Sequence, residues 1–187
     1  NQKLSIYCYG FDVTLRKFDL EKAIENFTNF ADEVVCATIL SEDDTRQRLS
    51  KLESQYERSR FRVIEAYDIT TKNNRFDGDL KTVAMQNCTH PIRIIADLDE
   101  MFLSSQRPRW DALARQLLAN ERLDGWLIPV VDLYGDAEHI RLNEPLGVKF
   151  RMHKDTVVRR GVPSFAETGG GRINTSLSDT TEPILLD

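Results

Sequence analysis

Two rhythms of apolar residues alternate along the first hundred positions. Residues 4–9 and 33–40 are short runs of apolar, aromatic and β-branched side chains, the pattern of strands buried on both faces. Between them Leu20, Ala23, Ile24, Phe27 and Phe30 recur at three- and four-residue spacing, which predicts a helix laying one stripe on a sheet. Asp44 or Thr45 is positioned to cap a second helix, with Leu49, Leu52 and Tyr56 on its inner face. Residues 61–67 read as a third strand. A polar loop over 68–74 precedes a helix from about 77 to 88, Pro91 ends it, and residues 92–96 form a fourth strand.

The order βαβαβαβ predicts an α/β fold: a mostly parallel sheet with right-handed crossovers and helices on both faces. Ligands of such sheets bind beyond the carboxyl ends of the strands, which here are residues 9–12, 40–44, 67–71 and 97–100. After residue 100 the rhythm changes to a helix over about 108–121, a long strand over 126–133, and short strand-like pieces of which 150–153 is the clearest. The Gly-, Ser- and Thr-rich end, with Gly169, Gly170 and Gly171, reads as a mobile tail or lid.

Composition narrows the classes of partner. The 187 residues carry 25 Lys plus Arg against 30 Asp plus Glu, a net charge of −5, with no basic block longer than Arg159 and Arg160. That leaves no electrostatic footprint for nucleic acid. No apolar run is long enough to span a membrane and none at the start resembles a signal segment. Cys8, Cys36 and Cys88 are odd in number and far apart, which fits buried thiols in a reducing, cytoplasmic setting and excludes a CxxC zinc site.

The most informative stretch is IRIIADLDEMF, residues 92–102, in which an apolar strand delivers Asp97, Asp99 and Glu100 at its carboxyl end. Crowded carboxylates repel one another, and a hard divalent cation such as Mg²⁺ or Mn²⁺ is their simplest neutraliser. Such an ion, keeping several waters, typically bridges a diphosphate. Other nucleotide motifs are missing: no GxGxxG follows the first strand, and Gly169–Gly171 lacks the strand before and the lysine after that a phosphate-binding loop needs.

On these residues the chain resembles the GT-A glycosyltransferases, especially the family 2-like group whose strand ends in aspartate, any residue, aspartate, glutamate. The resemblance covers about residues 4–134. Asp32, Glu33, Val34 and Val35 are similar to the family's entry into its second strand. Ser41, Asp43 and Thr45 resemble its serine, aspartate, threonine turn, with Ile39 or Leu40 in place of the usual strand-end aspartate. Residues 76–84 stand where the family has the helix before its acidic strand.

The resemblance implies a metal-dependent transferase that moves a sugar from a nucleotide-diphosphate-sugar donor to an acceptor. Residues 1–104 would form the nucleotide-sugar half of a single domain, 1–187, and residues 105–187 a minimal acceptor side. It implies Asp99 as metal ligand, and Asp97 facing the ribose or a metal-bound water. The loops at Tyr9, Gly10 and Phe11 and at Leu40, Ser41 and Asp43 would hold base and ribose, and Lys81 or Arg75 would meet the diphosphate. Many relatives complete the metal shell with a late histidine. Of the three present, His153 is the candidate, because His90 lies at the amino end of its strand and His139 in a polar loop. For the acceptor's general base the candidates are Glu167 and Asp132, with Asp136 and Glu138 behind them. A nucleotidyltransferase and a non-catalytic nucleotide-sugar-binding module are the alternatives, and a homo-oligomer stays open. Gln106–Trp110 matches a processive-transferase motif in letters only, so Trp110 is expected in the core.

Overall fold

A computed structural model describes residues 2–69, 76–130 and 147–155. The elements run β1 (Leu4–Gly10), α1 (Leu20–Phe30), β2 (Glu33–Thr38), α2 (Thr45–Glu53), β3 (Phe61–Glu65), α3 (Phe76–Gln86), β4 (Ile92–Ile95), α4 (Arg107–Ala119), β5 (Gly125–Val130) and β6 (Gly147–Lys154), with a short 3₁₀ turn, Ser104–Gln106, leading into α4. The six strands form one sheet in the order β3-β2-β1-β4-β6-β5. The first four are parallel, and β6 runs antiparallel to both β4 and β5.

Alternation along β1 builds the two cores. Leu4, Ile6 and Cys8 pack with α1, α2 and α4 on one face, together with Phe27, Phe30, Leu49 and Trp110. Tyr7 packs on the other face with Val35, Ala37, Leu80 and Ala84, the last two from α3. The helices therefore cover both faces, and the strands read as continuous apolar runs because neither face meets water. Trp110 lies in the core, edge-on to Phe30 and Phe102. All three cysteines are buried thiols.

The acidic entry to β2 is structural. Asp32 Oδ2 accepts from the Leu4 amide at 3.0 Å and pairs with Arg107 at 2.9 Å, while Glu33 accepts from the Thr89 amide and pairs with Arg62. These bonds tie the amino ends of β1, β2 and β4 together. The capping of α2 differs from the sequence expectation. Asp44 makes no side-chain cap bond; Asp43 Oδ1 accepts from the Thr45 amide instead, at 2.9 Å.

Among the described residues no helix is long and apolar enough to cross a membrane.

Candidate functional site

Strand order places the site. The chain lays β1, β2 and β3 outward in one direction, then returns to put β4 on the other side of β1. Loops leaving β1 and β4 diverge at that reversal and open a crevice beyond their carboxyl ends. A cavity of about 250 Å³ lies there. Tyr9 and Phe11 enter it from β1 and the loop after it, Asp77 and Lys81 from α3, and Asp97 and Asp99 from the turn after β4.

The turn after β4 is folded by its own acids. The Asp97 amide donates to Glu100 Oε2 at 2.9 Å, and the Glu100 amide donates to the Asp97 carbonyl at 3.0 Å. As a result, one carboxylate oxygen from each of Asp97, Asp99 and Glu100 lies within 4.8 Å of the other two. Oxygen-only, anionic donors at this spacing fit a hard divalent cation that keeps part of its water shell.

Cationic and aromatic groups surround the acids. Lys81 Nζ, with its side chain nearly buried, lies 2.6 Å from Asp97 Oδ1 and 5.5 Å from the centroid of the Tyr9 ring. Burial raises the Tyr9 phenol well above its ordinary pKa, and the negative charges of Asp77 and Asp97 push it further, so the hydroxyl stays a donor. Asp77 Oδ1 is buried with no hydrogen-bond partner among the described residues. Phe11 meets Phe76 edge-on at 5.1 Å, and the Arg16 guanidinium sits 5.8 Å from its centroid. The segment carrying Arg16 is bent by two non-glycine residues at positive φ, Asp12 (49°) and Lys17 (60°).

Several residues expected at the site have other tasks. Gly10 sits in β1 with its α-carbon turned toward α2, where an added Cβ would lie 3.0 Å from Leu49 Cδ1; it is needed for packing rather than for approach of a ligand. Asp43 Oδ2 accepts from the amides of Thr14 and Leu15 at 2.9 and 3.2 Å, and Thr45 Oγ1 accepts from the Val13 amide at 2.8 Å. Ser41 Oγ accepts from the Asp12 amide at 3.5 Å. The serine, aspartate, threonine turn thus holds the loop after β1 in place and does not line the cleft. Leu40 borders a second cavity between the ends of β2 and β3.

His153 is a correction. Because β6 is antiparallel to β4, its end lies at the amino end of β4, and His153 pairs with Arg93 in register. It is fully buried, with Nε2 2.9 Å from the Tyr7 hydroxyl and Nδ1 2.9 Å from the Lys154 carbonyl. Both ring nitrogens are engaged and the acids stand beyond the opposite end of the strand, so His153 is not brought to the carboxylate cluster. Burial lowers its pKa to about 4, with the charge of Arg93 acting in the same direction. Arg75, Asp132 and Glu167 lie outside the described residues, as do Asp136, Glu138 and the Gly-rich tail.

Arg16 and Asp77 are site residues that sequence reasoning missed. The one signal for Arg16 was its place beside Lys17 in a basic pair shortly after β1; for Asp77 it was an acid opening the helix before the acidic strand.

No protein-family profile matches the chain, and no curated protein matches it in sequence. Solved structures do resemble it. Staphylococcus aureus TarS 1-349 in complex with UDP aligns with a TM-score of 0.63 at 14% identity, covering 90% of this chain and 52% of that one. The same protein in complex with UDP-GlcNAc gives 0.58 at 14% identity, covering 85% and 47%. The mannosyltransferase PcManGT from Pyrobaculum calidifontis, in complex with GDP-Man and Mn²⁺, gives 0.58 at 14% identity, covering 85% and 46%. Likeness at this identity is likeness of fold, and the fold is that of the GT-A glycosyltransferases. The chain spans about half the length of the solved structures it matches.

Proposed function

We propose that the chain is the donor-binding part of a metal-dependent glycosyltransferase that uses a nucleotide-diphosphate-sugar. One observation carries this: three carboxylates lie within 4.8 Å of one another at the end of β4, and two of them, Asp97 and Asp99, line a cleft with a nearly buried lysine and two aromatic side chains at the reversal of strand order. Asp99, with Asp97 and Glu100, would hold Mn²⁺ or Mg²⁺, which when bound supplies Lewis-acid stabilisation of the departing diphosphate. Tyr9 and Phe11 offer ring faces to the nucleoside, and the Tyr9 hydroxyl a donor. Lys81 and Arg16 supply positive charge toward the phosphates, the part expected of Arg75 as well. Asp132 or Glu167 takes the proton of the acceptor hydroxyl as general base, on the acceptor side formed by residues 105–187. The buried thiols suit a reducing compartment.

Thermal unfolding with UDP, GDP, UDP-GlcNAc and GDP-mannose, each with and without Mn²⁺, tests the reading. A ligand that binds only the folded chain raises the midpoint by mass action. A rise that needs nucleotide and metal together supports it; no rise with any pair contradicts it.

A further inference from the structure

Two charged groups of α3 face the same cleft one helical turn apart. Asp77 stands in the first turn of the helix and Lys81 four residues further on, and both line the cavity with Tyr9, Asp97 and Asp99. Side chains at that spacing share a helix face, and they lean toward the amino end of the helix. An acid four residues before a lysine is therefore its nearest partner on the same helix. Lys81 takes a different one. Its Nζ lies 2.6 Å from Asp97 Oδ1, on the turn after β4, and Asp77 Oδ1 is left buried, accepting no hydrogen bond among the described residues. A buried carboxylate oxygen without a donor is costly.

The carboxylate that Lys81 holds is one that the metal reading needs. Asp97 contributes an oxygen to the cluster with Asp99 and Glu100, and an ammonium and a divalent cation on one carboxylate repel each other. Resting on the donor reading above, we propose that Asp77 is the positioning residue for Lys81: as Asp97 turns to the cation, Nζ passes from Asp97 Oδ1 to Asp77 Oδ1. The exchange keeps both charges of α3 in the cleft. Nζ retains a carboxylate partner, Asp77 gains the donor it lacks, and the ammonium, already 5.5 Å from the centroid of the Tyr9 ring, stays available to the diphosphate. An acid followed by a lysine at this spacing is also the more favourable order of the pair on a helix. The Lys81–Asp97 pair is the contact that the exchange breaks, and Asp77 makes breaking it inexpensive.

The test is a double-mutant cycle on the whole chain. Mn²⁺ is titrated with GDP or UDP present, and the free ion is followed by electron paramagnetic resonance, for the parent chain, Asp77→Asn, Lys81→Met and the double variant. Asp77→Asn keeps the shape and removes the charge that receives Nζ, so Lys81 stays on Asp97 and competes with Mn²⁺. The resulting loss of Mn²⁺ affinity should be about ten-fold greater in the parent background than in Lys81→Met, where there is no ammonium to place. The through-space effect of the Asp77 charge is common to both backgrounds and cancels in the comparison. Asp77→Glu, which keeps a carboxylate within reach of Nζ, should restore most of the affinity. Unfolding midpoints are read alongside, and Asp77→Ser, uncharged and well suited to a helix start, repeats the cycle. Equal losses in the two backgrounds, or no recovery in Asp77→Glu, overturns the positioning role and leaves the donor site standing. Absence of Mn²⁺ uptake by the parent chain with either nucleotide overturns the donor reading and this proposal with it.

Discussion

Lys81 Nζ lies 2.6 Å from Asp97 Oδ1, so the helix before the acidic strand and the turn after it are joined by an ion pair at the floor of the cleft. The lysine is 7% exposed, and its charge is held there by the carboxylates rather than by water. It offsets part of the repulsion among the three acids.

Replacing that charge separates metal from nucleotide. In Lys81→Met the stem is kept and the charge lost. Mn²⁺ alone is expected to bind at least as tightly as in the parent chain, while a nucleoside diphosphate with Mn²⁺ binds about ten-fold more weakly. Titration calorimetry with Mn²⁺ and then with GDP reads both; equal loss of both affinities would contradict the role given to Lys81.

His153 provides an acid-sensitive clasp between β1 and β6. Its Nδ1–H donates to the Lys154 carbonyl and its Nε2 accepts from the Tyr7 hydroxyl, which requires the neutral ring. In the unfolded chain the imidazole titrates near 6.5, and in the folded chain at about 4. Folded protein binds fewer protons between those values. The stabilisation is therefore complete above pH 6.5 and is lost as the pH falls toward 4, roughly 3 kcal/mol in all. Urea unfolding of His153→Gln between pH 7 and pH 4 should show a flatter dependence than the parent chain. Its Mn²⁺ affinity should be unchanged, since the ring does not reach the acids.

Gly10 is fixed by packing. The Cβ of Gly10→Ala would fall 3.0 Å from Leu49 Cδ1, 3.6 Å from Thr45 Cγ2 and 3.7 Å from Cys36 Sγ, with Leu49 fully buried and unable to retreat. Overpacking of this kind costs about 1–3 kcal/mol, measurable as a lower urea midpoint. Gly10→Ala combined with Leu49→Val should recover part of the loss.

Asp43 shapes the cleft from outside it. Its carboxylate accepts from the amides of Thr14, Leu15 and Thr45, and these bonds, outweighing desolvation, hold its pKa below the usual carboxylate range. Asp43→Ala should cost about 1–2 kcal/mol. It should also weaken nucleotide binding through the Phe11–Arg16 segment, with Mn²⁺ affinity retained.

The parallel core of this fold was legible because a strand buried on both faces leaves an unbroken apolar run, as in β1 and β2, and a helix on a sheet leaves a stripe, as in α1. Asp97, Asp99 and Lys81 were legible for the same reason: once strand and helix are placed, the ends of those elements are placed too. The position of His153 was not, because local pattern does not encode strand direction. A strand ending in MHK reads identically whether it runs with β4 or against it, and the antiparallel choice carries the histidine to the amino end of β4, away from the acids. Ser41 and Asp43 were assigned to ligand because nothing in their spacing shows that backbone amides of the loop after β1 already occupy them. Arg16 reaches the cleft only through the positive-φ turn at Asp12, a conformation the sequence does not announce.

The proposed metal site is tested most directly by Mn²⁺ titration followed through the electron paramagnetic resonance of the free ion, with GDP or UDP present, on the parent chain and on Asp99→Asn. The assignment of Asp97, Asp99 and Glu100 as ligands predicts that the parent chain removes Mn²⁺ from the free pool when nucleotide is present. It also predicts that Asp99→Asn, still folded by its unfolding midpoint, fails to do so at the same concentrations. Equal Mn²⁺ uptake by both chains would contradict it.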